Sequence, residues 1–339
     1  MRPSTIEYFE MQAIQLTYDG YNDYKVTLND IESPISEMSK NDLLIIVKAV
    51  AIQPLDQFLV QELLRKKKPL AAPITLGYNV SGIVAVTGES VTGFNVGDSI
   101  FACVPQHQMG TLSEYTLIDA NSVCLKPTNL SFEEAATLPL VSLTSIEALR
   151  SIEIEKSQKI LIYSDGCNLC KCLIQYAKAE GAYVYACADK MNLKKLDGLG
   201  ADEILEYKSL ECQRILKNVD IILDTRSAKE KNKGLDSTKT QAQIIDISPN
   251  LYSSKFSQEK NKDLDIPMQL IIRNREKRSC KKISKPSASG SDLQKTKKLA
   301  ESGLIRPPEI KIYSIKKSID LLMEGFSDPS KPIPVVKIN

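Results

Sequence analysis

The amino-acid pattern predicts an α/β protein of two unlike parts, an irregular β-barrel and a doubly wound parallel sheet, and three observations carry that reading. Short β-branched runs punctuated by glycines fill the first third of the chain. Near Ser131 the pattern switches to helices alternating with short apolar strands. After a Lys-, Ser- and Asn-rich stretch from Arg226 to about Lys298, regular patterning returns towards the C-terminal end.

In the first third, Leu43 to Ile52 and Val80 to Val86 are apolar strand candidates, and Gly77, Gly82, Gly88, Gly93 and Gly97 fall at turn-like spacing. Asn95-Val96-Gly97-Asp98 forms a turn before a strand from Ser99 to Val104. Turns this frequent suit a barrel better than a parallel sheet. Ser131 followed by Glu134 is a capping box, so a helix opens there and runs through Ala135 and Ala136. Helical spacing resumes around Leu143 to Leu149. Strands follow at Lys159 to Tyr163, Gly181 to Cys187, Ile204–Leu205 and Val219 to Asp224, with helices at about Lys171 to Ala179 and Leu193 to Leu199 between them. That rhythm predicts βαβ units with right-handed crossovers. Later segments read as strands at Gln243 to Ser248 and Met268 to Ile272, helices at Leu293 to Glu301 and Ile315 to Gly325, and a last strand at Pro334 to Ile338.

At 339 residues the chain can bury two cores, and its formal net charge of +2 gives no general attraction for nucleic acid. No apolar run reaches the roughly 20 residues of a membrane span. Residues Met1 to Glu10 read as neither a signal peptide nor a mitochondrial presequence, so a cytoplasmic protein is expected. Eight cysteines in a chain this long, without the spacing of a small secreted framework, predict reduced thiols.

Several segments, in order, match one family. Pro73-Ile-Thr-Leu-Gly-Tyr-Asn-Val-Ser-Gly82, Phe94-Asn-Val-Gly-Asp98, Gly110-Thr-Leu-Ser-Glu-Tyr115, Glu134-Ala-Ala-Thr-Leu-Pro139 and Leu143-Thr144 are followed by Leu199-Gly-Ala-Asp202, Glu206-Tyr207 and Ser302-Gly-Leu-Ile-Arg-Pro307. On these residues the chain resembles the zinc-free, quinone-oxidoreductase-like branch of the medium-chain dehydrogenase/reductase superfamily, and within it the reticulon-4-interacting protein 1 group. The resemblance implies a GroES-like barrel domain at 1–130 and 275–339, with a Rossmann dinucleotide-binding domain inserted at 131–274. It implies hydride transfer from NADPH or NADH, without zinc, to a quinone or an activated carbonyl or alkene. It also implies a homodimer and a mitochondrial location as the alternative compartment.

The implied cofactor contacts follow residue by residue. Gln53 and Asp56 stand in the family's Asn-Pro-x-Asp motif, Thr144 matches a threonine near the nicotinamide, and Tyr207 a tyrosine near the adenosine. The phosphate turn spans Gly166, Cys167, Asn168, Leu169 and Cys170, and in register Cys167, Asn168 and Cys170 replace three glycines. Side chains there crowd a diphosphate, and Asp165 adds like charge. A helix N-terminus offers an anion about 0.3–1 kcal/mol, against about 1–3 kcal/mol for each strained non-glycine residue. Binding should therefore be weakened, and the alternative reading is a pseudoenzyme of the same fold that binds or regulates. Asp189, where the family has a serine, repels a 2′-phosphate but accepts from a ribose hydroxyl, with Lys190 beside it in partial offset, so NADH gains on NADPH. Thr225-Arg-Ser-Ala228 replaces the family's Asn-Val-Gly-Gly. Asn79 stands for an aspartate, and Tyr78 is either a half-buried barrel tyrosine or a group reaching the cleft. No residue is singled out as catalytic.

Three further features have competing readings. Cys167-Asn-Leu-Cys170-Lys-Cys172 lacks the second cluster that structural zinc requires, and is read as cysteines at a helix start or as a redox-sensitive thiol site. His107 is a solvated loop residue. The basic run Arg273 to Lys282 is solvated surface or a dock for an acidic partner, an anionic membrane or nucleic acid, though no aromatic set for base stacking accompanies it.

Overall fold

A computed structural model describes residues 9–18, 24–66, 72–105, 108–152, 154–164, 166–226, 242–247, 270–274, 279–283, 288–324 and 331–338. The first sheet is an antiparallel hairpin of β1 (Glu10–Tyr18) and β2 (Tyr24–Glu32), with β4 (Ile74–Thr75) on the other edge of β1. Its strands pair in full register from Glu10↔Glu32 to Tyr18↔Tyr24. Met11 and Ala13 on one face of β1, and Ile14 and Leu16 on the other, are all buried, so both faces of this strand are packed.

Around β3 (Asp42–Ala51) a larger antiparallel sheet assembles from β5 (Asn79–Thr87), β6 (Ser99–Cys103) and β8 (Val123–Leu125), with β7 (Tyr115–Asp119) also pairing β3. β16 (Ile310–Ser314) and β17 (Ile333–Lys337), far along the chain, complete it through Val335↔Ala51 and Val336↔Val50. α1 (Pro54–Lys66), which the sequence reading missed, starts on a proline with Asp56 in its first turn, a favourable position against the helix dipole.

The parallel sheet runs in the order β11 (Glu203–Glu206), β10 (Tyr183–Ala188), β9 (Lys159–Tyr163), β12 (Ile221–Asp224), β13 (Gln243–Asp246). β14 (Leu270–Asn274) and β15 (Ser279–Ile283) extend it as antiparallel strands, past the domain division expected at 274. Along β9 the side chains alternate between two cores. Ile160 and Ile162 join the core shared with α3 (Asn168–Ala179), and Leu161 and Tyr163 join a second core with α4 (Leu210–Ile215).

The helix expected after Ser131 is α2 (Phe132–Arg150), and its capping box forms as read: Glu134 N–H donates to Ser131 Oγ at 3.1 Å, and Ser131 N–H to Glu134 Oε2 at 2.8 Å. α3 begins at Asn168 rather than Lys171, because the Cys167 sulfur takes the capping role that serine or aspartate usually fills. The expected helix at Leu193 to Leu199 shrinks to a 3₁₀ turn over Leu193–Leu196, since Gly198 and Gly200 both adopt positive φ. Two helices complete the chain, α5 (Gly290–Glu301) and α6 (Lys317–Glu324).

Gly82 shows how tightly β3 and β5 approach. A Cβ there would lie 2.3 Å from the Ile46 carbonyl oxygen and 2.7 Å from Ile45 Cγ2. Gly82→Ala should therefore destabilise the fold by about 1–3 kcal/mol in denaturant unfolding; an unchanged midpoint would mean that the two strands can separate freely.

Candidate functional site

β9 lies between β10 and β12, so strand order reverses at its C-terminal end, the place where open α/β sheets receive ligands. The N-terminus of α3 starts at that point. The turn leading into it is closed by its own side chains. Gly166 N–H donates to Ser164 Oγ at 2.8 Å, Cys170 N–H donates to Cys167 Sγ at 3.4 Å, and the Ser164 hydroxyl touches the Cys170 sulfur. Gly166 sits at φ +82°, and a Cβ on it would come 2.9 Å from Asn192 Oδ1, so this glycine is needed for the turn itself.

Arg226 follows β12 directly. Its side chain is fully buried and paired with Asp224 through Nε–Oδ1 and Nη2–Oδ2 contacts of 2.9 Å each. The guanidinium carbon stands 4.5 Å from the Tyr163 ring centre and 5.3 Å from that of Tyr207. Those two rings stack at 5.5 Å, and the Tyr207 hydroxyl donates to the Ser164 carbonyl. The end of the sheet beside α3 is thus packed with a cation set against two mutually stacked aromatic rings, where a guanidinium is favourably placed.

On the barrel side, α2 forms the wall. Pro139 has no N–H and disrupts the helical ladder. The next N–H, that of Leu140, donates to Asn79 Oδ1 at 3.0 Å, while Thr144 Oγ1 donates to the Leu140 carbonyl at 2.7 Å. Gln53 Nε2 reaches the Thr137 carbonyl at 3.5 Å, and Gln53 N–H donates to Asp56 Oδ2 at 2.7 Å. Buried polar atoms without a partner among the described residues include Asp56 Oδ1, Gln57 Oε1, Tyr78 OH and Asn79 Nδ2. Burial pushes the Asp56 carboxyl up to about 7, against the pull of backbone N–H groups. Burial, with Asp56 close by, also raises the Tyr78 phenol and pushes the Cys103 thiol up to about 12.

The residues singled out in the sequence therefore fall into two groups joined by α2. Gly166, Asn168, Leu169 and Tyr207 gather at the end of β9. Asp189 and Lys190 lie exposed after β10, where the Asp189 carboxylate accepts the Asn192 N–H at 2.9 Å. Thr144 lies buried within α2, Gln53 is buried against that helix at the Thr137 carbonyl, and Asp56 is buried in the first turn of α1. Tyr78, left open between two readings, is fully enclosed. Asp165, His107 and the side chains of the basic run Arg273 to Lys282 lie outside the described residues. The buried stack on Arg226 was missed, although an arginine two residues after the Asp224 that ends an apolar strand was a legible signal. Among the described residues, no group of three or more His, Cys, Asp or Glu side chains could hold a metal ion, and no helix is long and apolar enough to cross a membrane.

Residues 39–128 match the alcohol dehydrogenase GroES-like domain. The chain is 28% identical over 249 residues to a chloroplastic quinone-oxidoreductase homolog of Spinacia oleracea, a match spanning 70% of this chain and 75% of that protein. It is 35% identical over 204 residues to the mitochondrial NAD(P)H oxidoreductase RTN4IP1 of Mus musculus, spanning 54% of this chain and 52% of that protein. The quinone oxidoreductase structure from Coxiella burnetii superposes with a TM-score of 0.69 at 24% identity, covering 98% of this chain and 100% of that one. The chain is thus similar to quinone and NAD(P)H oxidoreductases, and within 39–128 to the GroES-like domain of alcohol dehydrogenases. Its fold is the expected GroES-like barrel with a Rossmann-like parallel sheet. The match to the mouse relative covers about half of that protein's length.

Asp56 gives the fold a pH signature. Between its ordinary value of 3.8 and about 7, the folded chain keeps a proton that the unfolded chain releases. Stability from this group is complete below that window and falls as pH rises through it, by about 1.4 kcal/mol per pH unit. Urea unfolding of Asp56→Asn should give a flatter stability curve than the unsubstituted protein from pH 4 to 7. Parallel curves would assign the dependence to another group.

Proposed function

We propose that this chain is an NAD(P)H-dependent oxidoreductase of the quinone-reductase-like type, acting without zinc on a quinone or an activated carbonyl or alkene. The observation that carries the proposal is the strand-order reversal at β9, with the N-terminus of α3 beginning just after that strand. The relatives named as quinone and NAD(P)H oxidoreductases support the reaction class. On this reading 131–274 is the nucleotide-binding unit, and 1–130 with 275–339 is the barrel. The compartment is proposed as cytoplasmic, with the mitochondrion as alternative.

The residues present suit a nicotinamide at the barrel side, where Asp56 Oδ1 and Tyr78 OH are buried polar atoms still lacking a partner. Bound there, a reduced nicotinamide supplies a hydride. Gln53 and Thr144 would face that end, Gly166, Asn168 and Leu169 the diphosphate, and Asp189 and Tyr207 the adenosine. The chain's own contribution is orientation and exclusion of water by the apolar wall of α2. The raised Tyr78 phenol keeps its proton within the buried cluster, and Asp56 can hold a proton near neutrality.

A second reading, the same scaffold as a catalytically impaired binding or regulatory protein, is favoured by the phosphate turn. Side chains fill it, and the Gly166 and Cys170 N–H groups are already satisfied within the chain.

Titration of the purified protein with NADH and NADPH, followed by calorimetry, separates the two. Binding below millimolar, tighter for NADH, is expected for the reductase; absence of binding by either, in folded protein, removes the oxidoreductase reading. The triple change Cys167→Gly, Asn168→Gly and Cys170→Gly should tighten binding by opening the turn, and unaltered affinity would refute the steric account.

A further inference from the structure

On the face of the parallel sheet covered by α4, two cysteines meet. Cys187 in β10 and Cys212 in α4 bring their sulfurs to 3.2 Å, and both are fully buried free thiols. The Tyr163 hydroxyl lies 3.4 Å from the Cys212 sulfur, and the Arg226 guanidinium stacks on that same tyrosine ring. A thiolate at Cys212 therefore finds two donors and a cation around it.

The two sulfurs differ in acidity. Cys212 is lowered, first by the hydrogen bond from the Cys187 thiol and then by the Tyr163 hydroxyl and the charge of Arg226, against the effect of burial. Burial raises Cys187, which keeps its proton. Of the two, Cys212 gives up its proton more readily, and its sulfur already touches that of Cys187, the arrangement of an oxidisable cysteine beside a resolving one. Elsewhere in the fold, burial pushes Cys103 up to about 12 and Cys124 and Cys172 up to about 11. Cys167 and Cys170, the redox candidates of the sequence, are engaged in the start of α3.

We propose that Cys187 and Cys212 form a peroxide-sensitive dithiol site that closes into a reversible disulfide. The Cys212 thiolate attacks one oxygen of hydrogen peroxide. The O–O bond breaks, leaving a sulfenic acid on Cys212 and hydroxide, which is protonated to water. The Cys187 sulfur then attacks Cys212, the S–O bond breaks, and the displaced hydroxyl leaves as water with the Cys187 proton. The two sulfurs lose two electrons and the peroxide oxygens gain them. A thiol reductant reverses the change by exchange. Closing the bond needs the sulfurs to approach by about 1 Å, to the disulfide length of about 2.05 Å. α4 has only six residues and begins at the exposed Leu210, so local opening of this short helix admits a small oxidant.

The test needs no bound nucleotide, so its outcome is distinguishable from that of the nucleotide titration. The full chain is treated with a small excess of hydrogen peroxide, alkylated, digested without reductant and mapped by mass spectrometry. The expected product is a linked pair of peptides carrying Cys187 and Cys212, lost on treatment with dithiothreitol and absent from Cys187→Ser and Cys212→Ser. In Cys187→Ser, a sulfenic acid on Cys212 should become trappable by dimedone. Full alkylation of both cysteines while other thiols oxidise would overturn the proposal. So would sulfinic acid at Cys212 with no cross-link in the unsubstituted protein, a result that needs no variant to fold.

Discussion

The structure depends on how α2 is seated. This helix is apolar on nearly every side, with buried residues from Ala135 to Leu149, and such a helix must be enclosed by protein. It lies against β3, β5 and β6 of the barrel and against α3 of the parallel sheet. Pro139 disturbs its backbone midway, and Asn79 of the barrel takes up the Leu140 N–H. The proline thus directs a bond between barrel and helix to one point, and Gln53, Thr144 and Asn79 are all referenced to it.

Most of the architecture was legible, because it rests on patterns that side-chain periodicity reveals. The capping box at Ser131, the strands at Lys159 to Tyr163 and Val219 to Asp224, and the turn at Asn95 to Asp98 all encode local geometry. The β1–β2 hairpin was missed, since its alternation is blurred by partly buried polar positions such as Gln15 and Asn29. α1 was missed because its apolar residues are interleaved with polar ones over a short span. The start of α3 was misjudged because a thiol seldom caps a helix.

Site residues were harder to read for a different reason. Gln53 acquires meaning only from its contact with Thr137, 84 positions along the chain. The Arg226 stack joins three residues from the ends of β9, β11 and β12. Periodicity cannot report that, because it describes which face a residue takes and not which neighbour it meets. A buried Arg–Asp pair is also weak support for stability by itself, since desolvating two charges offsets much of their attraction. Its importance here is positional: it fixes where the two tyrosine rings lie.

The pairing of β17 with β3 has a bearing on how the chain is made. Val335 sits opposite Ala51, so the barrel sheet closes through residues separated by most of the polypeptide. During synthesis the parallel sheet can organise as its strands emerge, whereas the barrel must wait with one edge of β3 bare. An uncovered strand edge is where chains pair wrongly with one another. The vulnerable interval in the life of this protein thus falls on the ribosome, before its final strand arrives.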